Sequence, residues 1–128
     1  MVLIAQKIAN LIRNAGEMVV FLDGEMGAGK TTLTSLILHE LSPTVQTTSP
    51  TFTIVNQYAD NIYHIDLYRV TVGEIDNLGL EDILVGGNMV FIEWPNRHVK
   101  ALALINDLSQ MTVKIHKLEG NARRVVIE

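Results

Sequence analysis

Cysteine is absent from the 128-residue chain. That absence excludes disulfides, zinc held by thiolates and thiol nucleophiles, and it suits a reducing compartment. Long hydrophobic runs are missing too. Although 48% of residues are hydrophobic, the apolar stretches fall far short of the roughly 20 residues that a membrane helix needs. No charged-then-apolar leader is visible at the start, where Met1-Val2-Leu3-Ile4 runs into Gln6, Lys7 and Asn10. The expectation is a soluble cytoplasmic protein with no membrane attachment. Positive charge is scarce: 10 Lys and Arg stand against 14 Asp and Glu, for a formal net charge of −4. Affinity for nucleic acid comes largely from cations that displace counterions. Any work on nucleic acid is therefore expected to run through a basic partner. There is no internal repeat, linker or low-complexity tract, and a length of 128 residues fits one domain spanning 1–128.

Against these absences stands one dense motif. Gly24-Glu25-Met26-Gly27-Ala28-Gly29-Lys30-Thr31 fits the phosphate-binding pattern G-x-x-x-x-G-K-[ST] without a gap. The apolar run Met18-Val19-Val20-Phe21-Leu22 precedes it, and the helix-like run Thr32-Leu33-Thr34-Ser35-Leu36-Ile37-Leu38 follows it. The order is strand, tight loop, helix. In such a loop the backbone amides converge on phosphate oxygens, and the helix N-terminus adds its positive dipole end. Lys30 is placed to reach β- and γ-phosphates, and the Thr31 hydroxyl to ligate Mg²⁺. The bland alternative is a glycine-rich turn, which would match this pattern by chance on the order of once in a hundred chains this short.

Around the motif, residues 3–14 put Leu3, Ile4, Ile8, Leu11 and Ile12 on one helical face, with Asn14 and Gly16 as stop signals. Glu17 to Asp23 reads as a buried parallel strand. The helix after the loop runs to about Leu41, before Ser42-Pro43. Thr44 to Thr51 is a loop, Phe52 to Tyr58 a strand, Ala59-Asp60-Asn61 a turn, and Ile62 to Tyr68 alternates with period two. The last three predict an antiparallel hairpin. Val72 to Leu84 is helical with an interruption at Gly79, and Met89 to Ile92 is a second buried strand ending in Glu93-Trp94. Pro95 stops that strand and holds the chain extended. Val99 to Asp107 is a helix or helical turn; Met111 to Lys117 and Arg124 to Glu128 are strands joined by the turn Gly120-Asn121.

Turnover needs more than a phosphate loop: a carboxylate to hold metal and a group to orient water. Glu93 ends an apolar strand, where ligands bind in this architecture, and is placed to hold Mg²⁺ opposite Thr31; otherwise it faces solvent. Thr51, in Ser49-Pro50-Thr51-Phe52, either donates toward the γ-phosphate or metal shell or serves ordinary turn chemistry. His64 and Asp66 share a strand face. Asp66 is placed to orient water or to sit in the outer shell of Mg²⁺, whereas a histidine there is more often a packed or surface residue. Arg69 pairs with a phosphate or with a surface carboxylate. Trp94 packs the sheet end or belongs to a partner contact.

Five blocks therefore occur in one order: Gly24 to Thr31, Ser49-Pro50-Thr51-Phe52, His64-x-Asp66-x-Tyr68-Arg69, Leu78-Gly79-Leu80-Glu81 and Ile92-Glu93-Trp94-Pro95. This set resembles the TsaE (YjeE) family, the bacterial ATPase of tRNA threonylcarbamoyladenosine biosynthesis, over nearly all of residues 15–128. The resemblance implies an α/β fold: a single P-loop NTPase domain with a mixed, mainly parallel sheet, an antiparallel hairpin and helices on both faces. It implies ATP hydrolysis with Mg²⁺ held by Thr31 and Glu93, and catalytic parts for Lys30, Thr51, Asp66 and Glu93. Nucleotide contacts are implied at Glu25, Met26, Gly27, Ala28, Gly29, Lys30, Thr31 and Thr32, and at Gly120, which matches a glycine turn that lies by the nucleotide. It further implies work with the TsaB–TsaD pair, which attaches threonylcarbamoyl to adenosine 37 of tRNAs reading codons that begin with A. tRNA is then met only through those partners, and the free protein is expected to be a monomer. Family members carry a longer N-terminal segment, with a strand and a threonine near the adenine; about two dozen residues precede Gly24 here.

No arginine finger stands near the motifs in sequence, so turnover alone is expected to be slow; such a finger contributes about 10³–10⁵ in rate. Two other functions compete. A small-molecule or nucleoside kinase would need an acceptor pocket and an arginine-bearing lid, and only Arg69 and Arg97 lie between Leu67 and Lys100. A nucleotide-gated binding module would use ATP to set partner affinity, with incidental turnover. A GTPase is disfavoured by the lack of an Asn-Lys-x-Asp guanine-reading motif.

Overall fold

The computed structural model describes residues 1–43, 54–84, 87–98, 102–103 and 108–128. In chain order these form α1 (Val2–Ala15), β1 (Met18–Asp23), α2 (Lys30–Leu41), β2 (Val55–Ala59), β3 (Ile62–Asp66), α3 (Val72–Ile75), α4 (Leu80–Ile83) and β4 (Met89–Glu93). A 3₁₀ turn at Pro95–His98 follows, then β5 (Gln110–Lys117) and β6 (Arg123–Ile127). The strands form one six-stranded sheet in the order β2-β3-β4-β1-β5-β6. β3, β4, β1 and β5 run parallel, while β2 and β6 close the edges as antiparallel hairpin partners of β3 and β5. The predicted mixed sheet with its hairpin is thus present.

Two apolar layers cover the sheet. On one face Val20, Leu22, Phe91, Val113 and Ile115 pack under α1 and α2 through Ile8, Ile12, Leu33 and Ile37. On the other, Val19, Val90, Ile92 and Ile65 pack under α3 and α4 through Ile75, Leu80 and Ile83. β1 and β4 are buried on both faces, which is why their sequences are apolar without alternation. Phe91 is fully buried in the first layer, where truncation of a phenylalanine to alanine costs about 3–5 kcal/mol.

Several expectations are corrected. In α1 the buried face is Ala5, Ile8, Ala9 and Ile12, while Leu3 is 79% and Leu11 42% exposed. The 3.6-residue repeat puts Leu3 on the far side from Ile8 and Ile12, and the small side chains of Ala5 and Ala9 sit in the buried face next to α2 instead. α1 is also tied down at its end, where the Arg13 guanidinium donates to the Glu40 carbonyl. β3 ends at Asp66, so Tyr68 lies in the following turn rather than in the strand. Pro95 does not keep the chain extended: Trp94 has φ 59°, the only non-glycine residue with positive φ among those described. Pro95 itself opens the 3₁₀ turn, which His98 anchors through a 2.7 Å hydrogen bond between its Nε2 and the Val70 carbonyl. The Ser49-to-Phe52 block lies outside the described residues, as does most of the expected 99–107 helix.

Candidate nucleotide site

The P-loop leaves the C-terminal end of β1, the central parallel strand, and opens α2. Local geometry follows from its glycines. Gly27 has φ 77°, and Gly29, the residue before α2, has φ 107°. These are values that side-chain-bearing residues avoid. At Gly24 the reason is space: a Cβ there would stand 2.8 Å from the Ile115 carbonyl oxygen, so the loop lies directly on β5. Ala28 is fully buried, whereas Glu25, Met26 and Thr32 are exposed around the mouth.

Lys30 is the first residue of α2 and is only 5% exposed. Its Nζ donates to the Gly24 carbonyl at 2.5 Å and the Glu25 carbonyl at 3.1 Å. It also lies 4.0 Å from the centroid of a Trp94 ring. No carboxylate comes within ion-pair distance of it among the described residues. Burial pushes its pKa below the ordinary lysine value, while the more distant charges of Glu93, Asp66, Asp23 and Glu25 pull it back up. A buried cation held by backbone carbonyls and an indole face is a cation that lacks a counter-charge, and a phosphate would supply one.

On the β4 side, Glu93 and His64 are each 2% exposed. The Thr31 hydroxyl donates to the Glu93 carboxylate, at 3.2 Å from Oε1 and 3.1 Å from Oε2. His64 Nε2 lies 2.6 Å from Glu93 Oε2. The solvent-facing alternative for Glu93 is therefore excluded. Asp66 pairs with Glu93 in the strand register, and its Oδ1 accepts from the Tyr68 amide at 3.0 Å. Tyr58 stacks on His64 with ring centroids 6.5 Å apart. Burial, and after it the negative charge of Glu93, raises the Tyr58 pKa. One crevice of about 650 Å³ joins Met26, Gly27, Gly29, Lys30, Thr31, Thr32, Asp66 and Glu93 with Tyr68, Arg69 and Trp94.

The structure thus brings together the P-loop residues, Asp66 and Glu93, as the sequence led one to expect. Thr51 lies outside the described residues. Gly120, φ 65°, sits in the exposed turn between β5 and β6, and a Cβ on it would meet nothing within 4 Å. His64 and Trp94, which sequence reasoning placed in bland roles, are wired directly into the site. A period-two count from Asp66 marks the face of His64, but not its partner on the neighbouring strand. Two arginines lie at the site: Arg123 Nε donates to the Ala28 carbonyl at 3.1 Å, and Arg69 lines the crevice.

The oxygens of Thr31 and Glu93 are hard donors in direct contact, which suits Mg²⁺. Beside them a positive-φ glycine loop surrounds a buried lysine held by backbone carbonyls. Together with the sheet order, this defines a P-loop NTPase-type α/β domain. A family model described as "Threonylcarbamoyl adenosine biosynthesis protein TsaE" matches residues 1–125, and the chain belongs to the TsaE family. The chain is similar to proteins named tRNA threonylcarbamoyladenosine biosynthesis protein TsaE from three sources. With the Nostoc sp. protein it shares 42% identity over 88 residues, covering 62% of this chain and 53% of the relative. With the Bacillus subtilis protein it shares 40% over 79 residues, covering 59% and 49%. With the Rickettsia typhi protein it shares 38% over 110 residues, covering 82% and 73%. The chain thus spans about half the length of the first two relatives. The crystal structure of Bacillus subtilis YdiB has the same fold, with a TM-score of 0.65 and 26% identity over 99% of this chain and 79% of that one. Among the described residues, no helix is long and apolar enough to cross a membrane.

Proposed function

We propose that this chain binds Mg²⁺–ATP in the P-loop crevice and hydrolyses it. The observation that carries this reading is Lys30, buried at the centre of a loop of positive-φ glycines and, among the described residues, without a carboxylate partner. The amides from Glu25 to Thr32 surround the phosphates, and Lys30 turns from the carbonyls of Gly24 and Glu25 to phosphate oxygen. Thr31 and Glu93 would hold Mg²⁺, directly or through water. His64, 2.6 Å from Glu93, keeps that carboxylate aimed. When bound, the metal neutralises charge on the outer phosphates and orients them for attack by water. Asp66 faces the same crevice and orders the attacking water or the outer shell of the metal. Thr51 acts at the γ-phosphate, and Gly120 belongs to the nucleoside side.

Family membership and the names of the relatives support a cytoplasmic role in threonylcarbamoyladenosine formation at position 37 of tRNAs reading codons that begin with A. The chain works there as an accessory ATPase with the TsaB–TsaD pair and meets tRNA only through it. A net charge of −4 agrees with that indirect route. The test is a tRNA modification assay with purified partners, run with wild type, with Lys30→Ala and with this protein left out. Wild type should support modification. Omission should abolish it, and Lys30→Ala should lower hydrolysis by about 10²–10³-fold and modification with it. Unchanged modification after omission would defeat the role. If Asp66→Ala and Glu93→Ala abolish hydrolysis yet leave modification intact, bound nucleotide acts as a switch and turnover is incidental.

A further inference from the structure

The two neighbours of β1 give the P-loop two flanks. Thr31 contacts Glu93 at the end of β4, so on the proposed reading the metal and the outer phosphates would lie on the β4 flank. Adjacent strands are about 4.8 Å apart, so the tips of β4 and β5 stand roughly 10 Å apart. Ligands in such sheets lie across the carboxyl ends of the strands. A nucleotide with its outer phosphates at β4 therefore carries its inner phosphate and ribose toward β5.

Lys117 ends β5 on that flank. A Cβ on Gly27 would stand 3.1 Å from its Nζ and 3.5 Å from its Cε. The ammonium therefore lies close over the bare backbone of Gly27, whose φ of 77° already favours glycine. Lys117 is exposed, and among the described residues no carboxylate pairs with it, unlike Lys114 of the same strand, which lies 3.2 Å from Glu128. Its register partner across the hairpin is Arg123, whose Nε holds the carbonyl of Ala28, the next loop residue. Two cations of one hairpin thus engage consecutive P-loop residues whose amides already attract anions.

We propose that Lys117 contacts the α-phosphate and ribose end of a bound nucleoside di- or triphosphate, and that Arg123 is a positioning residue that sets the loop beneath it. This rests on the reading of the crevice as a nucleotide site. Lys30 serves the outer phosphates and Lys117 the inner one.

The test is titration calorimetry of the full chain with ADP and with ATP, for wild type, Lys117→Met, Lys117→Arg and Arg123→Gln. Loss of one charge-assisted contact should weaken ADP and ATP alike by about tenfold in Lys117→Met. The salt dependence of binding should become shallower, and the unfolding midpoint without nucleotide should not move. Lys117→Arg should retain most of the affinity. In a steady-state hydrolysis assay Arg123→Gln should raise KM for ATP and leave kcat unchanged, and an unchanged KM would overturn its positioning role. Wild-type ADP affinity in Lys117→Met would overturn the proposal, as would a loss confined to ATP, which would put Lys117 at the outer phosphates. If wild type itself binds neither nucleotide, the site reading fails, and the proposal with it.

Discussion

On the β4 flank of the P-loop, Glu93 and His64 are each 2% exposed; His64 lies 2.6 Å from Glu93, and Thr31 donates to Glu93 at 3.1–3.2 Å. On the β5 flank Lys117 is exposed beside Gly27, and Arg123 is half-buried with its Nε on the Ala28 carbonyl. The difference matches what the proposed reading asks each flank to hold. A carboxylate that binds a small, hard cation gains from desolvation and from neighbours that hold its geometry before the metal arrives. A flank that receives a nucleoside must stay open, and cations on backbone can move aside without leaving a buried charge unpaired. Trp94 sits between the two designs. Its φ of 59° is a conformation that costs a bulky residue about 1–3 kcal/mol. It places the ring against Lys30 and, at 4.8 Å between centroids, against Tyr68.

The largest effect that would break this division comes from Glu93→Gln, which keeps shape and removes charge. Hydrolysis should fall about 10²-fold, and magnesium should no longer strengthen ATP binding. ADP binding in the absence of magnesium should not change, as calorimetry would show. An equal loss there would mean the flanks are not separable. Next, His64→Ala takes the 2.6 Å partner from buried Glu93 Oε2 and leaves it only the 3.1 Å bond from Thr31. Urea denaturation should show a loss of about 1–3 kcal/mol, whereas Lys114→Ala, which breaks an exposed pair near the other flank, should stay within about 0.5 kcal/mol. Similar losses from both would erase the contrast.

The smallest effect concerns pH. Burial holds the folded-state pKa of Lys30 below its unfolded value. The charged side chain therefore costs the nucleotide-free fold stability at neutral pH, and that cost fades as pH rises through the lowered value toward the ordinary one. Lys30→Met should be more stable than wild type near neutrality, with a gap that narrows by about pH 10. Denaturation at several pH values without nucleotide checks this. A gap independent of pH would show that the buried ammonium is not its source.

Much of the fold was legible because its signals are local. The P-loop spacing, the apolar runs at Met18–Leu22 and Met89–Ile92, and the turn at Asp60-Asn61 each report on their own neighbourhood. α1 was misjudged because Leu3 and Leu11 are apolar without being buried, and alanines fill the face next to α2. Trp94 was misjudged because the bias imposed by a following proline gave way to contacts with Lys30 and Tyr68. His64 could be assigned to a face but not to a partner, since Glu93 lies 29 positions away.

The sequence by itself determined that a strand, a glycine loop and a helix would make a phosphate cradle, because that geometry depends on consecutive residues and their backbone freedom. It also placed one carboxylate, Glu93, at a strand end and another, Asp66, on a strand. Only the tertiary structure decided which groups meet: Thr31 with Glu93, Glu93 with His64, Gly27 with Lys117 and Ala28 with Arg123. Each of those contacts joins segments far apart in the chain. Their pairing is set by strand order and register, which arise from packing two apolar layers on one sheet rather than from local spacing.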